Sequence, residues 1–254
     1  SRMPGVNNKD DFINLVRRLK EETGGVPVGL KIAATHHLEK ELQIGLEAEV
    51  DFVTLDGAEG GTHGGSPTLQ DDVGLPTLFA VTRGAQFLAQ KNASQNVSLI
   101  ATGGLVTPGQ MLKAIALGAD AVYIGTAAIM ALVSEQIVEA TPFEPPTSLV
   151  VYTGKMTDSL DIEKGANSLN QYLTACVKEM EQVIMSLGKK SVNELDKTDL
   201  TTFDPFIAKA IGVDFGYISP ERQQEYYQDL FNQIPLNGAS LANNLYNHQN
   251  EFTH

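Results

Sequence analysis

Cysteine and tryptophan are nearly missing from this 254-residue chain: it has one Cys and no Trp. A lone thiol, Cys176, can close no internal disulfide and can build no cysteine-based zinc or iron–sulfur site. It fits a reducing, cytoplasmic setting. Basic charge is also scarce. Eighteen Lys and Arg stand against 31 Asp and Glu, a net charge of −13, and no basic run exceeds two residues, as at Lys189-Lys190. A general nucleic-acid binder needs a basic footprint, so that class is set aside, as is an anionic membrane surface. Long apolar runs are absent too. The stretch Ala121 to Val133 is too short to span a bilayer, and no charged-then-apolar signal opens the chain. The first residues are Ser1-Arg2 rather than Met, which reads as a cut end.

What is present is ordinary globular composition, 42% hydrophobic and 19% charged, with a clear alternation. Apolar residues at Phe12, Leu15, Val16 and Leu19 have helical spacing. Val26 to Ala33 is short and rich in β-branched residues, so it predicts a strand. Leu38 to Ala48 predicts a helix and Asp51 to Leu55 a second strand. A helix from Pro76 to about Asn92 leads to a third strand at Val97 to Thr102. Thr107-Pro108-Gly109-Gln110 has the form of a capping box with Pro at the first helical position. A fourth strand, Ala121 to Ile124, and a helix from Ala127 to about Val138 complete the alternation. Short strands separated by helices imply βαβ units and a parallel sheet. Further on, the prolines at 142, 145 and 146 mark a loop or lid over residues 139–166. A long helix follows, with Leu169, Tyr172, Leu173, Cys176, Val177, Met180, Val183, Ile184 and Leu187 on one stripe. Ser191 to Glu194 reads as a second capping box, and short helices and a poorly ordered tail are expected after Phe203.

Three features carry chemistry. The first joins two glycine turns at successive strand ends, Gly103-Gly104 and Gly125-Thr126. Glycines there let backbone N–H groups approach an anion, and a following helix N-terminus adds donors and a favourable dipole. In barrels the loops after the last two strands commonly hold a phosphate. The alternative is a pair of tight turns with no ligand. The second is the glycine-dense loop Asp56 to Pro67, containing Glu59, Gly60, Gly61, Thr62 and His63. Its acids could accept protons or hold a substrate amine, or the loop could simply be a surface connection. No Gly-Lys-Ser/Thr or G-x-G-x-x-G pattern accompanies it, so it is neither a P-loop nor a dinucleotide fingerprint. The third is Lys31, between the apolar Leu30 and Ile32. An inward lysine there needs a negative partner, whereas an edge lysine needs none. His36 and His37 read as solvated helix-start residues and Cys176 as a core residue.

The stretch Ile100 to Ala128 (IATGGLVTPGQMLKAIALGADAVYIGTAA) resembles the phosphate end of FMN-dependent (β/α)8 barrels. PVGLKIAA, DFVTLDGAEGGTHGGSP, VGLP and SLGKKSVNEL are similar to the FMN-binding synthase domain of the glutamate synthase family, over about residues 1–200. That resemblance implies bound FMN and reductive formation of glutamate from 2-oxoglutarate and ammonia. By it, Lys31 and Glu59 are the expected catalytic residues. Lys31, Gly60, Gly61, Thr62, Gly103, Gly104, Gly125 and Thr126 are the expected cofactor contacts. The family's large synthases carry an iron–sulfur cysteine cluster after the last barrel helix. Ser134 to Asp158 holds no cysteine, so no cluster is expected in this chain and electrons are expected from a partner protein. The run Ile-Ala-Ala-Thr-His-His after Lys31 also departs from the family's pattern.

The expected architecture is therefore α/β, the C-terminal half of a (β/α)8 barrel over residues 1–138, followed by the loop or lid of 139–166. A helical extension over 167–254 completes it. Such a half-barrel exposes a sheet edge and apolar surface, so a homo-oligomer or association with an N-terminal half is expected. No nucleic-acid or membrane partner is expected, and the substrate is a small molecule. Two other readings stand beside this one: a silent or regulatory barrel that binds a phosphometabolite, and a nucleotide-binding barrel like inosine-monophosphate dehydrogenase.

Overall fold

A computed structural model describes residues 3–60, 66, 68–69, 73–137 and 146–217. Its centre is a four-stranded parallel sheet in sequential order: β1 (Gly29–Ala33), β2 (Phe52–Asp56), β3 (Ser98–Thr102) and β4 (Ala121–Val122). The helices that connect and flank these strands are α1 (Lys9–Glu22), α2 (Leu38–Glu47), α3 (Thr77–Gln90), α4 (Pro108–Ala116) and α5 (Thr126–Val133). Sequential parallel strands of this kind are normally joined by right-handed crossovers, which set the connecting helices on one side of the sheet. This is the arrangement of four successive staves of a (β/α)8 barrel, the fold class expected from the sequence. Among the described residues no strand pairs with the outer edge of β1 or of β4.

The two faces of the sheet differ as strict alternation requires. Leu30 and Ile32, Val53 and Leu55, Leu99 and Ala101, and Val122 pack with Leu38, Leu42, Val81, Leu88 and Met111 in one core. The opposite face carries Lys31, Thr54 and Ile100 side by side in register, with Ala33, Asp56 and Thr102 in the next row. This face mixes polar and apolar residues, whereas the other is apolar.

Two aspartates fix the strand starts by the same device. Asp51 Oδ2 accepts the Val28 N–H at 2.7 Å, and Asp120 Oδ2 accepts the Leu99 N–H at 2.7 Å. Each therefore satisfies a backbone donor just ahead of, or at, the start of the neighbouring strand. The predicted first strand is shorter than expected, because pairing begins only at Gly29, where the Phe52 ring lies in the space a Cβ would fill.

Beyond the sheet, helix α6 (Ile162–Ser186) starts earlier than the spacing from Leu169 predicts. Asp161 caps it by accepting the Lys164 N–H at 3.0 Å. The buried Gln136 amide both donates to the Asp161 carbonyl (3.0 Å) and accepts its N–H (2.8 Å), tying the end of the α5 segment to the start of α6. The helix expected from Ala127 to about Val138 is corrected to one that ends at Val133, after which the Gln136 N–H turns back onto the Val133 carbonyl at 2.8 Å. Between them, part of the expected loop is a small cluster around Leu149 and Val133. The Thr107 capping box is present, with Thr107 and Gln110 each holding the other's backbone N–H. The one expected at Ser191 is not: Ser191 Oγ accepts from Asn193, and Glu194 reaches Lys190 instead. A short helix α7 (Pro205–Ile211), capped by Asp204, returns Ala208 and Ile211 to the buried interior. It is flanked by the two-residue parallel pair β5 (Thr201–Thr202) and β6 (Asp214–Phe215).

Candidate functional site

The C-terminal ends of β1 to β4 lie along one side of the sheet, and the sequence-predicted residues collect there. Lys31 projects from β1, two residues before the level of Asp56, whose register partner is Ala33. The Lys31 ammonium donates to Asp56 Oδ2, forming an ion pair. The two ends of this pair differ in exposure: 56% of the Lys31 side chain is exposed but only 19% of Asp56. Among the described residues, Asp56 Oδ1 is buried without a hydrogen-bond partner, and so is the hydroxyl of Thr54, the register neighbour of Lys31. Buried polar atoms normally find partners, so two covered, unsatisfied oxygens lie beside an exposed cation. The expectation that an inward Lys31 meets a negative group is met by Asp56.

The segment after β2 turns through a short 3-10 helix, Ala58–Gly60. Glu59 does not stand free in it. Its Oε2 accepts the Thr77 N–H at 2.8 Å and lies 2.8 Å from Thr77 Oγ1, whose single proton it shares with the Gly103 carbonyl. Thr77 is the first residue of α3, and its N-cap, Pro76, offers no side-chain oxygen. Glu59 therefore supplies from a distance the acceptor that a Ser or Asp cap would supply locally. The glycine turn after β3 meets the same hydroxyl, because the Gly103 carbonyl oxygen lies 2.9 Å from Thr77 Oγ1. An open cleft of about 230 Å³ is lined by Glu59, Thr77, Gly103, Gly104, Gln110 and Lys113, among others.

The second glycine turn is built differently. Gly125 is the N-cap of α5, and no side chain caps that helix. A Cβ built on Gly125 would meet nothing within 4 Å, and both Gly125 and Thr126 are exposed. The N-terminus of α5 thus borders open space at Gly125, one strand away from the turn after β3, since β3 and β4 are adjacent.

Gly61, Thr62 and His63 lie outside the described residues. His36 and His37 sit against each other with ring centroids 3.7 Å apart, both exposed. Cys176 is buried on α6, beyond the sheet strands. Thr77 is the residue that sequence reasoning missed. Pro76-Thr77 announces a helix start, but nothing local reveals that Thr77 bonds residues 18 and 26 positions away. Among the described residues no helix is long and apolar enough to cross a membrane.

A family model described as a conserved region in glutamate synthase matches residues 2–190. An archaeal-type glutamate synthase (NADPH) of Thermotoga maritima is 32% identical over 187 residues, covering 73% of this chain and 37% of the relative. The archaeal glutamate synthase (NADPH) of Methanocaldococcus jannaschii is 34% identical over 188 residues, with the same coverage. The chain thus spans little more than a third of these relatives. Among solved structures, a flavocytochrome b2 double mutant with sulfite bound matches at a TM-score of 0.49 and 17% identity. That match covers 82% of this chain and 43% of the other.

Proposed function

This chain belongs to the glutamate synthase family, and from that premise we propose that it contributes the phosphate end of an FMN site in a flavin-dependent oxidoreductase of glutamate-synthase type. The observation that carries the reading is the pair of glycine turns at adjacent strand ends, Gly103-Gly104 beside an α5 N-terminus that no side chain caps. The open first turn of α5 would take the phosphate, with its N–H donors and dipole. Bound flavin would supply the capacity to pass a hydride to an imine. Lys31 lies on the same face of the sheet, and its exposed ammonium would stabilise negative charge on the ring or on a substrate carboxylate. Asp56 holds that ammonium in place.

The remaining wall of the site, and the strands that would close the sheet beyond β1 and β4, come in this reading from outside the described residues, in a longer chain or a partner. Electrons come from a partner protein. The archaeal-type relatives named above carry NADPH in their names, which suggests the ultimate donor.

Reconstitution tests this reading. The full-length protein is incubated with FMN, and flavin absorbance and fluorescence are measured after gel filtration. Stoichiometric flavin, with Lys31→Ala keeping flavin but losing reduction of 2-iminoglutarate formed from 2-oxoglutarate and ammonia, is the expected result. Protein that stays colourless under all conditions sinks the reading.

A further inference from the structure

We propose that Glu59 and Thr77 act as a latch that positions the Gly103-Gly104 turn, so that Glu59 serves as a positioning residue and not as a proton-transfer group. The inference rests on the phosphate reading of that turn and deepens it. Its basis is a set of contacts that converge on one hydroxyl. Thr77 Oγ1 lies 2.8 Å from Glu59 Oε2 and 2.9 Å from the Gly103 carbonyl oxygen. The same Glu59 oxygen accepts the Thr77 N–H at 2.8 Å. Three chain segments, the turn after β2, the start of α3 and the turn after β3, are therefore joined through two side chains.

The backbone is shaped around this hydroxyl. A Cβ on Gly57 would come within 1.9 Å of Thr77 Oγ1, and one on Gly103 within 2.5 Å. The Gly57 N–H donates to the Thr102 carbonyl at 3.0 Å, closing the ring of contacts from the other side. The apolar stem of Glu59 also sits against Gly104, where a Cβ would come within 2.7 Å of the Glu59 Cβ. Gly103 and Gly104 both have positive φ, 114° and 64°. Two successive turn residues in this region need external contacts to hold one conformation. The latch supplies them, and so fixes the direction in which the Gly104 backbone faces the α5 N-terminus. With Oε2 occupied by two donors, Glu59 spends the hydrogen-bonding capacity of that oxygen on the frame. A proton-transfer role for Glu59 would have to run through Oε1 alone.

The test uses four variants of the full-length protein. Thr77→Val removes the hydroxyl and keeps the shape; Thr77→Ser restores it. Glu59→Ala removes the acceptor, while Glu59→Gln keeps an oxygen there without the charge. Two quantities are read: the dissociation constant for FMN, and amide hydrogen exchange across residues 57–60, 77–79 and 103–106 without flavin. Loss of the latch is expected to weaken FMN binding about tenfold in Thr77→Val and Glu59→Ala and to speed exchange in all three segments. Thr77→Ser and Glu59→Gln are expected to stay near the parent in both. Unchanged exchange and affinity in Glu59→Ala would overturn the latch. So would a Glu59→Gln variant that folds, exchanges and binds FMN like the parent yet has lost turnover, since that marks a proton-transfer group. If the parent itself binds no FMN, the phosphate reading fails, and the exchange data still decide the latch.

Discussion

Lys31 and Asp56 face each other across two adjacent parallel strands, and the burden of their ion pair is unequal. The ammonium stands largely in solvent, while the carboxylate is mostly covered and one of its oxygens has no partner among the described residues. Removing the lysine strands a covered charge; removing the charge leaves a lysine that water can solvate. Lys31→Ala is therefore expected to destabilise the fold by about 1–3 kcal/mol and Asp56→Asn by less than about 1 kcal/mol. Paired thermal or urea melts check the asymmetry. Equal losses would mean the pair is governed by its exposed half.

A negative charge at the start of α5 should be tolerated by the fold and refused by a phosphate ligand. Gly125 has open space where a Cβ would go, and an acidic side chain at a helix N-terminus stabilises the helix. Gly125→Asp is expected to leave the melting temperature within a few degrees of the parent. It should also supply the missing cap, filling the site and repelling a phosphate, so FMN binding should weaken at least about tenfold. Isothermal titration of the folded variant reads this out. Undiminished binding would place the phosphate elsewhere.

The sequence made some of this legible and hid the rest, for physical reasons. The Thr107 box was readable because both partners lie within four residues. The sheet was readable because one face of each strand is uniformly apolar. Lys31 could be flagged as needing an anion, yet its partner is 25 residues away, and only strand register reveals Asp56. Glu59 looked chemically available because its partner is a backbone N–H and a hydroxyl from another element. The apolar stripe of α6 begins only at Leu169, whereas the helix start is set by Asp161 and by the buried amide of Gln136. Tail residues 205–211 gave a short helix, but its return to the core depends on Ile211 meeting distant side chains.

Glycine substitutions should separate tight positions from open ones. Gly57→Ala would force a Cβ to within 1.9 Å of Thr77 Oγ1 and 2.5 Å of the Thr77 backbone. Backbone cannot swing aside as a side chain can, so a loss of about 2–4 kcal/mol or failure to accumulate folded protein is expected. Gly109→Ala, in the first turn of α4 with nothing within 4 Å, should be neutral or stabilise by up to about 1 kcal/mol. Soluble yield and denaturant midpoints compare the two. A benign Gly57→Ala would show that the turn after β2 can shift away from α3.

Acid should weaken the fold partly through Asp51. The Lys20 ammonium and then the Val28 N–H hold this carboxyl below the usual carboxylate range, the Lys20 contact being the larger cause. The Arg83 fork does the same to Glu39, binding it at 2.7 and 2.6 Å between α3 and α2. A depressed folded-state pKa means the unfolded chain binds the proton more readily. The contribution is thus complete above the unfolded value, near about 3.9 for Asp, and is lost as pH falls through the folded one. Melting temperature should fall between about pH 4.5 and 2.5, and less steeply in Asp51→Asn, which has no carboxylate to protonate. Both charges of the Lys20–Asp51 pair are partly exposed, so added salt should shrink the difference between the two profiles without abolishing it, because the bond to Val28 is short-ranged. Parallel profiles for parent and variant would remove Asp51 from the acid response.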